Sequence, residues 1–479
     1  MNRSNIWIHV GLAVVLITFA AVLGQMERWR MALKSDPIVK TTVAPTNTAP
    51  ANGIPEVLVR FKPGTTLDRI RDIALAHHDR LSDEIESVQG LSVIDDLDNA
   101  DPLAVAKEYA SMSDVAYAEP NFQIKLDDPI QKDDLNFDDG VLRTPAAGAP
   151  NDPLFADQWA LNNLGGNGGK DRADLDAIKA WETTKGSDEV VVAVLDSGVD
   201  YTHEDLRANM WIRPASVPAY TDDELGTVND LNGFNADDKL ADPMDDNGHG
   251  THCAGIIGAE GDNGIGVTGI NQTVKIMPLK FLGRSGSGST AAAIEAINYV
   301  VDRKKHGVNV RIISASWGSN SSSRALEDAI RAASDAGILF VAAAGNDGSN
   351  NDRWPHYPSN YNVPGLISVA ALDRGDTLAS FSNVGVKTVH VAAPGKAIVS
   401  TWLGDAYREA SGTSMATPYV SGVAALVIAN EPGITMQKLR ERLLGTVDKL
   451  PALDGKVATG GRICAANALA AHASNHLPH

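Results

Sequence analysis

The sequence predicts an α/β protein, a mainly parallel sheet with helices on both faces, preceded by a small α+β unit of order βαββαβ. Three observations carry this. From Val190 onward, short continuous apolar runs alternate with helical segments, as buried parallel strands and their crossovers do. Between residues 55 and 126, strand-like and helix-like stretches follow one another in the shorter βαββαβ order. The length, 479 residues, has room for about three units at roughly 150 residues each.

At the N-terminus, Arg3 precedes an apolar run from Ile6 to Leu23, and Glu27, Arg28 and Arg30 follow it. Such a run lies between the core of a signal peptide and a spanning helix of about 20 residues. Residues 1–24 therefore read as a signal peptide or a signal anchor. Either way the bulk of the chain is exported, secreted or held at the cell envelope, with residues 6–23 as the anchor if retained. Residues 25–54 read as a linker, rich in Thr, Ala, Pro and Asn from Val39 to Pro55.

The small unit spans residues 55–126. Its expected elements are a strand Val57–Phe61, a helix Thr66–His77, strands Glu84–Val88 and Leu91–Leu97, a helix Pro102–Met112 and a strand Val115–Ile124. That is the ferredoxin-like arrangement. Residues 127–150, acidic and then rich in Pro, Ala and Gly, read as an exposed, cleavable linker. The main domain follows at residues 151–473, with a short tail at 474–479.

Within the main domain the buried strands are expected at Val190–Leu195, Lys275–Leu282, Arg311–Ser316, Ile338–Ala344, Leu366–Ala371 and Val389–Ala393. Ser289-Thr290 can cap a helix that stops at Gly307, and a second helix runs from about Arg324 to Ala336 before Gly337. In such sheets the functional site lies at the carboxyl ends of the strands.

The net charge of −19 argues against nucleic acid or anionic lipid as a partner. The two cysteines, Cys253 and Cys464, allow no disulfide framework and read as free, buried thiols.

Three segments carry chemistry. Asp196 directly follows the strand Val190–Leu195. His249 lies in Asn-Gly-His-Gly-Thr-His-Cys, a glycine-rich turn leading into an apolar helix, and Ser414 lies in Ser-Gly-Thr-Ser-Met-Ala-Thr-Pro at the start of another. A serine hydroxyl needs a base to take its proton, an imidazole can act as base and then acid, and a carboxylate holds the ring's tautomer. A lone Asp-Ser-Gly is more often a turn, and His252 reads as structural.

These blocks, in the order Asp, His, Ser, resemble the signature segments of the subtilisin-like serine proteases over about Asn151 to Ala471, thermitase-like and proteinase-K-like members above all. The resemblance implies a serine endopeptidase with Asp196, His249 and Ser414 as catalytic residues. It also implies Asn346 as the side-chain donor of the oxyanion hole, beside the backbone N–H of Ser414. Substrate would add a strand along Gly286, Ser287 and Gly288. The primary pocket would lie between Ser316, Trp317, Gly318 and Ala343, Ala344, Gly345. Small residues there leave room for a large apolar side chain before the cut bond, with Asp347 at the rim tolerating Lys or Arg. Trp317 stands where relatives commonly have leucine.

The same resemblance implies structural calcium, held by side chains of Asp152, Asp205 and Asn263 and carbonyls of Gly261, Ile265 and Val267, a donor set that suits a hard cation. Residues 55–126 would be an inhibitory prodomain whose tail passes through the cleft. Protein and peptide substrates and the chain's own prodomain are the expected partners, with a monomeric enzyme. Two other readings differ from this one: a membrane-anchored processing protease, and a catalytically silent binding protein on the same fold. The complete triad weighs against the second.

Overall fold

The computed structural model describes residues 54–126, 130–131, 147–222, 226–239 and 241–473. The apolar run at 6–23, the linker before residue 54, most of the linker at 127–150 and the tail at 474–479 lie outside them.

The small unit follows the order β1 (Glu56–Phe61), α1 (Leu67–Ala76), β2 (Asp79–Glu84), β3 (Leu91–Asp96), α2 (Pro102–Ala110), β4 (Val115–Pro120). Its four strands form an antiparallel sheet of order β2-β3-β1-β4, the expected ferredoxin-like topology. Thr66 and Asp101 accept hydrogen bonds from the first turns of α1 and α2 and so fix where each begins. Val57, Val59, Ile70, Ile73, Val105 and Tyr109 fill the space between sheet and helices.

Two expectations about this unit are corrected. The second strand is Asp79–Glu84, not Glu84–Val88. Its buried residues include Asp79, which accepts from the Tyr109 hydroxyl (2.7 Å), and Asp83, paired with Lys239 (3.2 Å). An inward face that carries acids gives no apolar alternation to read. The run Val115–Ile124 is likewise not one strand. It breaks at Asn121 and Phe122, and β5 (Gln123–Lys125) leaves the small sheet to pair with the main domain.

The main domain is built on β6 (Gly186–Asp196), β7 (Phe234–Asn235), β8 (Thr273–Lys280), β10 (Val310–Ala315), β11 (Leu339–Ala343), β12 (Leu366–Leu372), β13 (Val391–Pro394), β14 (Asp448–Lys449) and β15 (Gly461–Arg462), with β9 (Ser287–Ser289) outside the sheet. The nine strands run in the order β7-β8-β6-β10-β11-β12-β13-β15-β14, and every pair is parallel except β14–β15. Continuous burial of Val190–Leu195, Leu339–Ala343 and Leu366–Leu372 is what a sheet covered on both faces requires. One face carries α3 (His249–Gly258) and α6 (Thr413–Asn430), the other α4 (Thr290–Lys305) and α5 (Arg324–Asp335).

The chain enters the sheet at β6, goes to one side for β8 and returns to the other for β10. The carboxyl end of β6, where Asp196 sits, is therefore the point at which strand order reverses, where α/β sheets open a crevice. Both cysteines are free and buried. Among the described residues no helix is long and apolar enough to cross a membrane.

Candidate active site

Asp196 ends β6, fully buried, with its Oδ1 held by the following amide of Ser197 (2.7 Å). His249 is the first residue of α3, and its Nδ1 lies 2.8 Å from the same Oδ1. Close packing of α3 on the strand end allows this. A Cβ on Gly250 would lie 2.0 Å from the Gly198 carbonyl, so only glycine can follow His249 here. The carboxylate beneath Nδ1 favours the tautomer with hydrogen on Nδ1, leaving Nε2 as a base.

Ser414 is the second residue of α6 and is buried. Its carbonyl accepts from the Ser316 hydroxyl (2.8 Å) and from the Cys253 thiol (3.5 Å). Cys253 lies one turn along α3 from His249, and its sulfur sits within 4.8 Å of ligand-type atoms of both Asp196 and His249. One side chain thus touches all three segments and joins them in one place. Burial pushes the Cys253 thiol well above its usual range, so it stays protonated and behaves as a small apolar residue. His252 is buried against the carbonyls of Arg408 (3.0 Å) and Ile398 (3.2 Å), and burial lowers it to about 4. It is a structural histidine, as expected.

Asn346 turns its Oδ1 to the backbone N–H (2.8 Å) and hydroxyl (3.0 Å) of Thr413. That leaves its Nδ2 as a buried donor with no partner among the described residues. A Cβ built on Gly412 would lie 3.4 Å from this Nδ2 and 3.5 Å from the amide nitrogen of Ser414. Two N–H donors therefore converge on the space that a side chain at 412 would occupy. Gly412 was not singled out from the sequence. Its φ of 168° is ordinary extended backbone, so the signal is space rather than conformation.

The cleft is lined by the segment expected for strand addition, and a strand is there. β5 pairs antiparallel with β9: Lys125 opposite Ser287, Ile124 opposite Gly288, Gln123 opposite Ser289. The amide of Leu126 donates to the Gly286 carbonyl (2.8 Å), and Lys125 also forms a bridge with Gly318 on the other side. The tail of the small unit thus lies between both edges of the cleft.

Ser316–Gly318 and Ala343–Gly345 continue beyond the carboxyl ends of the neighbouring strands β10 and β11. Trp317 turns away from the gap between them. Its indole N–H donates to the Leu195 carbonyl (2.8 Å) and its ring packs on Phe281, 4.8 Å between centroids. Asp347 is exposed. The gap is nevertheless not the open apolar pocket expected from its small walls. A Cβ on Gly318 would lie 2.0 Å from His356 Cε1, and one on Gly345 would lie 3.1 Å from the opposite edge of the same ring. Asn383 Nδ2 would lie 2.4 Å from the latter. A buried imidazole and an amide close the gap, and sequence reading missed both.

The residues expected to hold calcium gather at one place. Asp152 Oδ2 accepts from the amide of Asp262 (2.9 Å), while its Oδ1 is buried with no partner among the described residues. Asp205 is buried and accepts from Asn263 Nδ2 (2.8 Å) and from the amide of Val267 (2.9 Å). Burial pushes both carboxyls up, Asp205 to about 7, and the Asp152 charge raises Asp205 further. Two buried acids facing one another, one with an orphaned oxygen, fit a cation. Asn263 points its nitrogen, not its oxygen, at Asp205, and its Oδ1 takes the Ile265 amide (2.7 Å).

The subtilase family matches residues 187–461 of this chain. A thermophilic serine proteinase of Bacillus sp. (strain AK1) is 38% identical over 290 residues, 60% of this chain and 64% of that protein. Thermitase of Thermoactinomyces vulgaris is 33% identical over 302 residues, 63% of this chain and 92% of thermitase. Among solved structures, a protease from Pseudoalteromonas arctica is similar with a TM-score of 0.55 and 31% identity, covering 67% of this chain and 99% of that one. The chain thus spans slightly under two thirds of the Bacillus proteinase and nearly all of thermitase.

Proposed function

The chain belongs to the subtilase family, and from that premise we propose that it is a serine endopeptidase, exported and made as a zymogen. The observation that carries the reading is the convergence of Asn346 Nδ2 and the Ser414 amide on one space beside the His249–Asp196 pair. Two donor nitrogens bordering one space, with no acceptor there among the described residues, suit an oxygen that gains charge only during reaction.

In this mechanism Ser414 Oγ attacks the carbonyl carbon of the peptide bond while His249 Nε2 takes its proton. The carbonyl oxygen becomes an oxyanion in the space beside Gly412. Collapse breaks the C–N bond, and His249 returns the proton to the leaving amine. Water then repeats the sequence on the acyl-enzyme, freeing the acid product and restoring the Ser414 hydroxyl. Asp196 stays ionised and stabilises the imidazolium.

Residues 55–126 act as an inhibitory prodomain. Pairing of β5 with β9 and Gly318 supports this, because a tail in that place excludes a substrate strand. Calcium is held by Asp152 and Asp205 with nearby carbonyls, and when bound it supplies charge that the two acids otherwise lack. The apolar run at residues 6–23 supports export.

Ser414→Ala tests the central claim. The variant should remain an uncut precursor, fail to hydrolyse peptide anilides and take no label from a serine-reactive fluorophosphonate that labels the parent. A variant that matures and turns over at the parent rate would remove Ser414 from the mechanism.

A further inference from the structure

We propose that His356 makes this enzyme select, immediately before the cut bond, a short side chain ending in an oxygen acceptor, aspartate first, instead of a large apolar one. The inference rests on the serine-peptidase reading of the site and adds the side chain that reading does not name.

The position of the ring comes first. Ser316–Gly318 and Ala343–Gly345 are the two walls, and His356 meets both at their glycines. Cε1 and the two ring nitrogens lie toward Gly318, at 2.0, 2.7 and 2.8 Å from a Cβ built there; Cγ and Cδ2 lie toward Gly345. The ring therefore spans the gap with its nitrogen-bearing edge along one wall. It is held there from outside the pocket. The Tyr357 backbone pairs with Ser319 through two hydrogen bonds of 2.7 Å, and the His356 amide donates to Asn360 Oδ1 (3.2 Å). That pairing fixes the stretch of backbone from which the ring projects.

The surroundings are polar too. Asn383 Nδ2 faces Gly345 and donates to the Ala344 carbonyl and to Asn351 Oδ1, both at 3.1 Å. A phenylalanine or leucine entering this gap would lose volume to the ring and bury its carbons against an imidazole and amides. A short side chain with an acceptor oxygen can stop at the nitrogen-bearing edge of the ring and take an N–H in its plane, and a carboxylate makes that bond stronger. The exposed Asp347 opposes an acid, but from solvent, where its field is screened.

The test profiles the parent and His356→Gly, both after self-processing, with peptides that differ only before the cut bond: Asp, Asn, Ala, Leu and Phe. Parent kcat/KM for Asp or Asn should exceed that for Phe by at least about ten-fold. In His356→Gly that ratio should fall at least ten-fold as Phe and Leu gain entry. A parent that prefers Phe, Leu or Ala overturns the proposal, and so does a ratio that His356→Gly leaves unchanged. If His356→Gly does not fold, His356→Gln, which keeps a donor of similar reach, should retain preference for Asn and Asp over Phe; loss of that preference counts against the proposal. Fluorophosphonate labelling of each sample separates the failures. A labelled enzyme with the wrong preference sinks only this inference, whereas an unlabelled, inactive parent sinks the peptidase reading beneath it.

Discussion

Removing calcium should make the stability of this protein depend on pH in a way that calcium abolishes, and the size follows from Asp205. Its carboxyl is fully buried, and burial, reinforced by Asp152, carries it from an ordinary 3.8 to about 7. A raised folded-state value means the folded protein holds a proton that the unfolded chain has already lost. The stabilisation is complete below about pH 4 and is lost as pH rises through about 7. Three units at about 1.36 kcal/mol each give on the order of 4 kcal/mol across that window. For a catalytic unit of roughly 300 residues the melting entropy is about 0.6 kcal/mol/K, so the midpoint should drop by about 7 °C. A bound calcium ion replaces the proton, and the drop should vanish. Ser414→Ala precursor, which cannot digest itself, would be melted at pH 4 and pH 8 in chelator and in excess calcium. Asp205→Asn should show neither the pH-dependent drop in chelator nor the gain from calcium. Equal pH dependence of the parent in chelator and calcium would refute the assignment of Asp152 and Asp205 to a cation.

Three further outcomes are expected. Asn346→Ala should lower kcat with little change in KM; a relative that loses this kind of donor falls by about 10²–10³, and a rate within two-fold of the parent would exclude Asn346 from the oxyanion site. Gly412→Ala places a methyl group in ordinary contact, 3.4 to 3.7 Å, with Asn346, Ser414 and Met415. It should cost at least about ten-fold in kcat/KM with little change in melting, and unaltered activity would mean that the space beside residue 412 is not where the oxyanion forms. Release of the prodomain after self-cleavage should be faster at pH 8 than at pH 6. Glu86 contacts Asn298 of α4, and burial raises it to about 7 beside Asp222, with Asp83, Glu295 and Lys239 close by. Since the raised value belongs to the docked state, docking is favoured while Glu86 is protonated and weakens above that pH. Activity appearing after dilution at the two pH values measures it, and Glu86→Gln should flatten the difference.

The sheet was legible because its strands are buried on both faces. Val190–Leu195, Leu339–Ala343 and Leu366–Leu372 read as short, nearly continuous apolar runs. The triad was legible for a different reason, since Asp196, His249 and Ser414 each sit at an element end marked by glycine. What could not be read depends on side chains meeting across the fold. β2 hides its inward face behind Asp79 and Asp83, whose partners Tyr109 and Lys239 lie 30 and 156 residues away. His356 follows Trp354-Pro355 in a stretch with no periodicity, and only the pairing of Tyr357 with Ser319 swings it between the pocket walls. The walls could be read as small residues, but His356 and Asn383, which face their glycines, could not. Emptiness in a pocket is a property of everything around it.

The contacts of the small unit also bear on what it would do if, as proposed, it is a prodomain. Besides filling the cleft, that part reaches the starts of both helices on its side of the sheet. Asn121 Oδ1 takes the Ala291 amide of α4 (2.9 Å), and Glu119 takes the amides of Arg324 (3.0 Å) and Ala325 (3.1 Å) in α5. These are first-turn donors with no partner inside a helix. Each helix also has a cap of its own: Ser289 holds the Ala292 amide (3.1 Å) and Ser323 the Leu326 amide (3.0 Å). Loss of residues 54–126 would return the extra donors to water, where they are satisfied, and leave the resident caps in place. The finished sheet therefore depends little on them, since hydrogen bonds exchanged with water are worth about 1 kcal/mol each, or about 1.5–3 where the acceptor is charged. The unfinished sheet is another matter. β6, β8 and β10 can pair in parallel only after long crossovers have closed, and such topologies form slowly. A unit that forms from nearer contacts, and then offers ready acceptors to the starts of α4 and α5 together with an edge strand to β9, lowers the cost of ordering those segments before β6 and β10 meet. The same surface can hold an enzyme inactive and help assemble it, because both tasks need the cleft strand and the helix starts held at once.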